Sequence, residues 1–510
     1  MMKDTASERA YLGNSLENQL GIVFLPTDAE GHTHAEMPVD HRTCQPYGTL
    51  HGGASLALAE SLAGHGSWEH CTPEEIPFGM QVSGNHIAPV KVGNKVHATG
   101  KLVHKGSTTH IWDITITTIT GKLVASIRVV NYIIRKKMRL PSPHIHQLID
   151  CLTRSRFCFA LYRLPWTDEC YFVLQTSEDI ETLNDISELN GKKGFVMAPF
   201  IQSDEHPLIL IKPDNTAYDW SEISQSLTTC IYADAILTCK NLPSIPITQL
   251  NENERYDRYY AAFRRFIEPL KNKQFKKLVL SRPAFCPIEP DFSPLATFVK
   301  ACNAYPRMMV YLCHTPITGT WLGSTPEILL SGHAQNWNTV ALAGTLPIQN
   351  GVEPNEWSDK NKEEQAFVAE YIRKIVKKHG RKMEEKGPYT ARAGQLVHLK
   401  TDFFFQLKET GFLGDLLKEL HPTPAVCGLP KQEAYDFILA NEGYDRRYYS
   451  GFVGWLDPEG HTDLYVNLRC MEIRSTEAKL YAGGGILPSS EVRSEWEETG
   501  EKMKTMRNLI

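Results

Sequence analysis

The feature that most constrains the fold is a change of hydrophobic period within residues 51–134. Residues 51–64, HGGASLALAESLAG, are helix-forming and apolar almost all round, which predicts a buried helix. Further on the period becomes two, which predicts antiparallel strands at 95–104, 109–119 and 123–134. Turns are expected at Lys105–Gly106 and Thr120–Gly121, and a short amphipathic helix at residues 7–20. The pattern predicts a helix wrapped by a sheet.

Glu60 is the unusual residue of this helix, because a carboxylate is costly to bury without a partner. Burial would favour its protonated form and make it a usable base or nucleophile. The N–H groups at Gly52 could stabilise an oxyanion at the start of the helix. His51 and Gln45 lie just before it and could orient a carbonyl or a water. The alternative is that Glu60 emerges at the surface and His51 is a loop residue.

A break in composition divides the chain near residue 140. Residues 135–146, RKKMRLPSPHIH, combine a basic cluster with two prolines, which indicates a linker. The sequence predicts a first domain at 1–138, a linker at 139–149 and a second domain at 150–510. The second domain is strand-rich from Phe157 onwards and long enough for one large core. The expected fold class is α+β.

Three consecutive glycines near the end of the chain, residues 483–485, follow a short strand-like run. They predict a turn whose N–H groups face an anion, since glycine lets the backbone approach a ligand. A helix then opens at about Ser490 and places Glu495, Glu498 and Lys502 on one face. Such a face could hold a metal beside an anionic substrate. A solvated charged helix is the alternative.

Four further stretches carry polar residues among apolar neighbours. Alternation along a strand at 276–282 turns Lys277 inward, where burial would favour its neutral, basic form. Glu327 lies between a proline turn and an apolar run, where a carboxyl could stay protonated and act as an acid. Glu364 lies on a predicted helix, and Arg469 closes an apolar strand and suits bidentate carboxylate binding. Each alone is also compatible with an ordinary surface or strand-end charge.

Composition excludes several classes. The 510 residues carry a net charge of −5 and no basic stripe interleaved with aromatics, so nucleic acid is not an expected partner. There is no run of 18 apolar residues and no apolar leader, so no membrane span is expected. Twelve cysteines are scattered without a C-x-x-C pair, which indicates free thiols in a reducing cytosol and a cytoplasmic location.

Residues 45–61, with His86 and the turn at 105–107, resemble the hotdog-fold acyl-CoA thioesterases, in particular the branch that acts on 1,4-dihydroxy-2-naphthoyl-CoA. The resemblance implies that Glu60 is the nucleophile or general base. It implies that Gly52, Gln45 and His51 surround the thioester carbonyl, and that CoA contacts lie near His86 and the 105–107 turn. It also implies a homo-oligomer, dimer or tetramer, because hotdog sites form between two subunits. The chain departs from this branch at Gly64, where a Ser or Thr often helps to hold water.

From about Arg156 to the C-terminus the chain resembles the chorismate-utilising enzymes, specifically isochorismate synthase. The resemblance is carried by ordered motifs: KKLVLSR at 276–282, GSTPE at 323–327, LAGT at 342–345, the Glu-Glu-Gln helix, LVHLKT at 396–401, HPTPAV at 421–426, YSGFVGW at 449–455 and the Gly-Gly-Gly segment with its helix. It implies a two-lobed α/β sandwich of large antiparallel sheets with the site in a cleft.

The same resemblance implies a role for each residue. Glu364 and Glu498 would hold Mg²⁺, with Glu495 in support. Lys277 would activate water for attack at C2, and Glu327 would protonate the departing C4 hydroxyl. The remaining residues would bind the two chorismate carboxylates or shape the pocket: Thr345, His398, Tyr449, Arg469, Gly483, Gly484, Gly485 and Lys502.

Two residues favour water addition within this family. Lys277 is present where anthranilate synthases carry Gln, and Ala343 stands where aminodeoxychorismate synthases carry Lys. Salicylate synthases share both features and stay an alternative. The sequence therefore predicts a bifunctional enzyme of menaquinone biosynthesis that acts on chorismate and an aryl-CoA thioester. A catecholate siderophore pathway is the alternative, and so is a hotdog half that only binds CoA or dimerises.

Overall fold

The computed structural model describes residues 15–71, 75–106, 108–135, 138–167, 169–231, 251–348, 356–393, 396–409 and 411–510. The chain divides into two compact units, Met1–Lys137 and Met138–Ile510.

The first unit is a helix packed on an antiparallel sheet. Its elements in chain order are α1 (Leu16–Leu20), β1 (Val23–Leu25), β2 (Thr33–Pro38), α2 (Gly52–His70), β3 (Glu75–His86), β4 (Lys95–Lys105), β5 (Thr109–Thr118) and β6 (Leu123–Arg135).

The sheet has the strand order β1-β2-β4-β5-β6-β3, and every pairing in it is antiparallel. Helix α2 buries Leu58 and Leu62 against sheet residues such as Trp112 and Ile114, which form one core. This confirms the hotdog architecture and the strands predicted from period two. Strands β2 and β3 were not predicted. The described part of the predicted 7–20 helix is α1, and residues 7–14 lie outside the described residues.

The second unit is larger and begins with α3 (Pro143–Leu152). Its strands before the first long helix are β7 (Cys158–Arg163), β8 (Tyr171–Gln175), β9 (Glu181–Leu183), β10 (Gly194–Ala198), β11 (Leu208–Ile211) and β12 (Asn215–Ala217). The middle of the unit contains α4 (Trp220–Ile231), α5 (Glu252–Lys271), β13 (Lys277–Pro287), α6 (Pro294–Ala304), β14 (Met309–Thr315), β15 (Gly319–Thr325), β16 (Ile328–His333) and β17 (Asn336–Pro347).

The last part of the unit brings in the long helices of the site. Its elements are α7 (Asp359–His379), β18 (Gly380–Ala393), β19 (Leu396–Leu407), α8 (Leu413–Leu420), β20 (Gly428–Leu429), α9 (Lys431–Asn441), β21 (Phe452–Leu456), β22 (His461–Val466), β23 (Cys470–Ile473), β24 (Glu477–Ile486) and α10 (Val492–Arg507).

Two large antiparallel sheets organise this unit. One has the order β18-β19-β17-β16-β22-β21-β10-β11-β9 and the other β12-β8-β7-β14-β15-β23-β24-β13-β20. Each sheet has its own apolar core, and helices pack on the outer sides: α3, α6 and α10 contribute to one core and α7 and α8 to the other. This confirms the predicted two-lobed sandwich with outer helices.

The predicted linker at 139–149 is wrong in its structure. Residues Pro143–Leu152 form helix α3, which begins with Pro at its first turn and buries Ile145, Ile149 and Leu152 in a core of the second unit. These apolar residues recur at helical spacing, and proline is compatible with the first turn of a helix. Most of the segment therefore belongs to the second unit.

The predicted glycine turn at 483–485 is also wrong. These residues lie inside strand β24, which pairs with β13 over ten residue pairs, including Ser281 with Gly483 and Val279 with Gly485. Arg469 likewise does not close a strand, because β22 ends at Val466 and Arg469 lies in the short link to β23. None of the described helices is both long and apolar enough to cross a membrane.

Candidate active sites

A polar cleft lies in the second unit where the two sheets approach each other. The space between its lining atoms is about 570 Å³, part of which is open to solvent. Nine of the predicted site residues line it: Glu327, Thr345, Glu364, His398, Tyr449, Arg469, Gly483, Gly485 and Lys502.

Lys277 and Glu364 form a buried ion pair at one side of the cleft. Strand β13 begins at Lys277, whose side chain is completely buried, and its Nζ lies 2.9 Å from Oε1 of Glu364 on α7. Burial opposes ionisation of Glu364, but attraction and a hydrogen bond from Lys277, with Lys360 and Lys502 nearby, lower its pKa overall. The inward orientation predicted for Lys277 is confirmed.

Glu327 lies between β15 and β16 and is 2% exposed. Burial raises the pKa of its carboxyl to about 8, although Lys277 and Arg469 oppose this shift. Glu327 is therefore mostly protonated at neutral pH and able to donate a proton in the cleft. Such a raised carboxyl pKa is a property of catalytic acids.

His398 is held as a neutral ring between a carbonyl and a guanidinium. Its Nδ1 donates to the Gly344 carbonyl at 2.9 Å and lies 3.2 Å from the Thr345 hydroxyl, while Arg469 donates to its Nε2 at 3.0 Å. Burial, with Arg469 and Lys502 nearby, keeps the pKa of His398 well below its ordinary value.

Arg469 can bind an anion in the cleft. Its Nη1 is buried without a hydrogen-bond partner among the described residues. An unpaired buried guanidinium nitrogen is costly, and a carboxylate in the cleft would satisfy it. Tyr449, 2% exposed, also lines the cleft; burial raises the pKa of its phenol, so it stays a hydrogen-bond donor.

The glycines of β24 make room for charged side chains. A Cβ at Gly485 would lie 2.1 Å from Oε1 of Glu364, and one at Gly484 would lie 3.1 Å from Oε2 of Glu495. Successive residues of a strand face opposite sides, so Gly485 faces the cleft and Gly484 faces helix α10. Gly484 accordingly does not line the cleft.

Helix α10 carries two neighbouring acids, each with a lysine partner. Lys502 donates to Oε1 of Glu498 at 2.7 Å and to the carbonyl of Gly483 at 2.9 Å. Glu495 is 1% exposed and accepts from Lys360, which sequence reasoning missed although it lies four residues before Glu364 on α7. Burial and then repulsion by Glu498 raise the pKa of Glu495.

The acids fit a hard divalent cation in ligand type and charge. A Cβ at Gly484 would lie 3.1 Å from Oε2 of Glu495 and 3.6 Å from Oε1 of Glu498, so the two carboxylates are close together. Mg²⁺ prefers one or two carboxylates with a substrate anion. Within the described ranges, however, no three His, Cys, Asp or Glu side chains form a ready-made metal cluster. The structure therefore does not assemble the predicted three-acid set of Glu364, Glu495 and Glu498.

Sequence reasoning also missed a further part of the cleft lining. Ala425 and Val426 line it, and the Thr423 hydroxyl lies beside Glu327. These residues follow His421-Pro422 in a motif to which no individual role was given. Their apolar or small side chains carry no chemical signal, so only the fold reveals their position.

The first unit brings together part of its predicted site. His51 caps α2, its Nδ1 accepting from Gly53 N at 2.9 Å, and a Cβ at Gly52 would lie 2.8 Å from Nε2 of His86. Gln45 precedes them, its amide donating to the Thr49 hydroxyl at 2.8 Å. The start of α2 at Gly52 thus lies beside His86.

Glu60 is exposed in the single chain, which agrees with the alternative that it emerges at the surface. Its carboxylate lies against β3, where a Cβ at Gly79 would be 2.1 Å from Oε1. Eight residues separate Gly52 from Glu60, which is about 12 Å along a helix. Within one chain, the Glu60 carboxylate is therefore too far from the Gly52 N–H for both to contact the same thioester carbonyl. In the predicted 105–107 turn, Lys105 ends strand β4, and the N–H of Gly106 donates to the carbonyl of Thr109 at 2.8 Å. Ser107 lies outside the described residues.

The two-sheet fold and a cleft lined by Arg469 and Lys502 are compatible with a class of enzymes that bind anionic substrates, and the comparisons identify the family. Residues 209–510 match the family model described as chorismate binding enzyme, and residues 47–125 match that of the thioesterase superfamily. Because the first match covers more than half of the chain, the protein belongs to the chorismate-binding enzymes, with an N-terminal hotdog domain of the thioesterase superfamily.

Individual relatives share the second unit. Isochorismate synthase EntC of Escherichia coli (strain K12) is 32% identical over 214 residues, covering 39% of this chain and 54% of that protein. The vibriobactin-specific isochorismate synthase of Vibrio cholerae serotype O1 is 34% identical over 194 residues, covering 36% and 49%. The chain thus spans about half the length of these curated relatives.

A solved structure shares the fold of the second unit. MenF, the menaquinone-specific isochorismate synthase of Escherichia coli, is 20% identical with a TM-score of 0.58, covering 73% of this chain and 92% of that chain.

Proposed function

We propose that the second unit converts chorismate to isochorismate. The observation that carries this proposal is that one cleft has a fully buried lysine, Lys277, at its side and a carboxyl that is protonated at neutral pH, Glu327, in its lining. Lys277 contacts one side of the cleft through Glu364, and Glu327 lines the same cleft with a pKa of about 8. The reaction needs both, because water adds at C2 of the ring while a hydroxyl leaves from C4.

The two residues divide the proton transfers. Lys277 takes a proton from the water that attacks C2. Glu327 gives its proton to the hydroxyl that departs from C4 as water, and the ring double bonds shift between the two carbons. One water enters and one leaves, so the product is an isomer of the substrate. For Lys277 to act as a base, its contact with Glu364 must first be exchanged.

The cleft residues provide charge for a dianionic substrate. The unpartnered Nη1 of Arg469 and the phenol of Tyr449 would bind one carboxylate, and Lys502 would attract the other. Neutral His398 accepts a hydrogen bond from Nη2 of Arg469 and so fixes the orientation of the guanidinium. These contacts orient the ring between Lys277 and Glu327.

Glu364 and Glu498 are the residues that would hold Mg²⁺, and Glu495 would support them. When bound, the ion would supply positive charge for the ring carboxylate. Replacing Glu498 by Gln should weaken Mg²⁺ binding in calorimetry, whereas the exposed Glu497→Gln on the same helix should not. Equal affinities would remove Glu498 from this role.

Product analysis tests the reaction. The purified chain with chorismate and Mg²⁺ should form isochorismate, separated from salicylate by chromatography. Salicylate with pyruvate would instead identify a salicylate synthase, an outcome compatible with Lys277 and Ala343. Unchanged chorismate would contradict both.

For the first unit we propose hydrolysis of an aryl-CoA thioester, such as 1,4-dihydroxy-2-naphthoyl-CoA, with Glu60 as base or nucleophile. The distance between Glu60 and Gly52 within one chain supports a site completed by a second copy. Exposed apolar residues of edge strand β3, Phe78 (45%) and Met80 (59%), support an interface there. Sedimentation should show a dimer or tetramer; a monomer that hydrolyses the thioester would contradict the shared site.

The pathway proposed is menaquinone biosynthesis, because the Gln45-to-Glu60 frame resembles dihydroxynaphthoyl-CoA thioesterases. A siderophore pathway is the second candidate, since the similar Vibrio cholerae protein is vibriobactin-specific. Kinetics with the naphthoyl-CoA and with an aryl-loaded carrier protein distinguish them, because only the preferred substrate should turn over efficiently. CoA binding without hydrolysis of either would indicate a binding module.

A further inference from the structure

A buried ion pair outside the cleft binds two neighbouring chain segments that lead to its proposed base and acid. Arg446 and Glu442 are 2% and 7% exposed, and they form a bidentate contact: Nε to Oε2 at 2.6 Å and Nη2 to Oε1 at 2.6 Å. The Arg446 guanidinium also stacks over Phe200, 4.3 Å from the ring centroid. Burial opposes its charge, but Glu442 raises the pKa of Arg446 overall. The guanidinium is therefore a permanent, fixed cation.

The remaining donors of Arg446 bind one backbone carbonyl on each of two neighbouring segments, which are also joined directly, because the N–H of Val279 donates to the carbonyl of Cys427 at 2.7 Å. Nη2 donates to the carbonyl of Val279 at 2.9 Å, and Nη1 donates to the carbonyl of Val426 at 2.8 Å. Both valines line the cleft, whereas Arg446 does not. Val279 lies two residues after Lys277 on β13. Val426 lies three residues after Thr423, whose hydroxyl is beside Glu327.

Glu442 strengthens the attachment of β13. Its Oε1 accepts from the backbone N of Ser281 at 2.7 Å and from its hydroxyl at 2.8 Å, and that hydroxyl lies 2.6 Å from the hydroxyl of Tyr444. Val279 and Ser281 are thus both attached to the same ion pair. A planar guanidinium with five donors in a rigid fork can make these bonds together, which a lysine cannot.

We propose that Arg446, held by Glu442, is a positioning residue that keeps β13 and the Thr423–Val426 segment aligned, and through them Lys277 and the surroundings of Glu327. This inference rests on the proposed isomerisation of chorismate. A displacement of reacting groups by about 1 Å can cost about 100-fold in rate. The ion pair touches no substrate, so its effect must pass through β13 and the Thr423–Val426 segment.

Four variants of the full chain test the proposal with chorismate and Mg²⁺. Arg446→Met removes both hydrogen bonds to the carbonyls. Arg446→Lys keeps the charge without the planar guanidinium, and Glu442→Gln weakens the ion pair that holds Arg446. The double variant Glu442→Met with Arg446→Met replaces the pair by apolar side chains, which often restores the stability lost with a single partner. The matched control is Arg163→Met, because buried Arg163 also bridges carbonyls, those of Pro306 and Tyr305, away from the cleft.

The expected result is a fall in kcat of about 100-fold for Arg446→Met and for the double variant, per folded molecule measured by circular dichroism, with little change in KM. Arg446→Lys should fall in between. The pH profile of kcat should shift in these variants, because the surroundings of Lys277 and Glu327 change. Arg163→Met should lower Tm and keep the wild-type kcat and pH profile.

A double variant with recovered Tm and a kcat within twofold of wild type would overturn the positioning role. If Arg446→Met does not fold, a wild-type kcat and pH profile in Arg446→Lys and Glu442→Gln would overturn it equally. A wild-type chain that leaves chorismate unchanged would instead contradict the proposed function, so the two failures are distinct.

Discussion

Nζ of Lys277 lies 2.9 Å from Oε1 of Glu364, and the lysine has no exposed surface. Each residue compensates the buried charge of the other, because removing one partner of a buried pair leaves an uncompensated ion. The Lys277–Glu364 pair therefore contributes both to the stability of the second unit and to its proposed reaction. Variants at this pair separate the two contributions.

Replacing Lys277 by Ala should abolish isochorismate formation while chorismate still binds in calorimetry. It should also lower the free energy of unfolding by about 3–5 kcal/mol, because Glu364 is left buried and unpaired. The double variant Lys277→Met with Glu364→Met should recover stability without activity. Lys276→Ala, on the exposed neighbour, is the control and should behave as wild type. Retained turnover in Lys277→Ala would remove this residue from the role of base.

Replacing Glu327 by Gln should lower kcat by about 10²–10⁴-fold, the usual contribution of a general acid. In the wild type, the proton that Glu327 donates is present below its pKa of about 8, so kcat should fall as pH rises through 8. The raised pKa also means that its contribution to stability is full below about 4.5 and is lost as pH rises through about 8. Both pH dependences should disappear in the Gln variant; an unchanged alkaline limb of kcat would assign it to another group.

Replacing Gly485 by Ala should damage the cleft, because the new Cβ would lie 2.1 Å from Oε1 of Glu364 and 2.9 Å from Cε of Lys277. Overpacking of this kind costs about 1–3 kcal/mol, which thermal unfolding measures. Isochorismate formation should fall with it, since the ion pair must move. Gly411→Ala is the control, because a Cβ there meets nothing within 4 Å. A fully active and stable Gly485→Ala enzyme would show that the pair adapts freely.

Helices and strands within single segments could be predicted from the sequence, whereas the pairing of strands that are distant in the chain could not. The buried helix α2 and the strands β4, β5 and β6 follow from periodicity within single segments, so they could be predicted. The strand position of Gly485 depends on pairing with Val279, about 200 residues earlier, and three glycines alone favour a turn. Helix α3 was missed because its prolines conceal the helical spacing of Ile145 and Ile149.

The same distinction applies to the sites. Charged residues in apolar surroundings, such as Lys277 and Glu327, are visible in the sequence because their burial is improbable without a purpose. The Arg446–Glu442 pair and the cleft residues Ala425 and Val426 carry no such signal, since their positions depend on how distant elements meet. The sequence left both burial and exposure open for Glu60, because its helix is apolar on several faces and the exposed face cannot be identified from composition.

Replacing Glu60 by Ala should abolish thioester hydrolysis and leave isochorismate formation unchanged. The reason is that Glu60 belongs to the first compact unit and the cleft residues belong to the second. Lys277→Ala is the reciprocal control and should lose only isochorismate formation. Both rates are measured on each purified variant. Equal loss of both activities in either variant would contradict independent sites.

Mixing two inactive chains should restore thioester hydrolysis if the site is shared. Glu60→Ala lacks the carboxylate and Gly52→Val blocks the helix start, where even a Cβ would lie 2.8 Å from Nε2 of His86. In a mixed oligomer, one site combines the intact Gly52 of one copy with the intact Glu60 of the other. Refolding the two variants together should therefore give partial activity, whereas each alone gives none. A mixture as inactive as its components, with mixed oligomers present by native mass spectrometry, would place Glu60 and Gly52 in sites built from single chains.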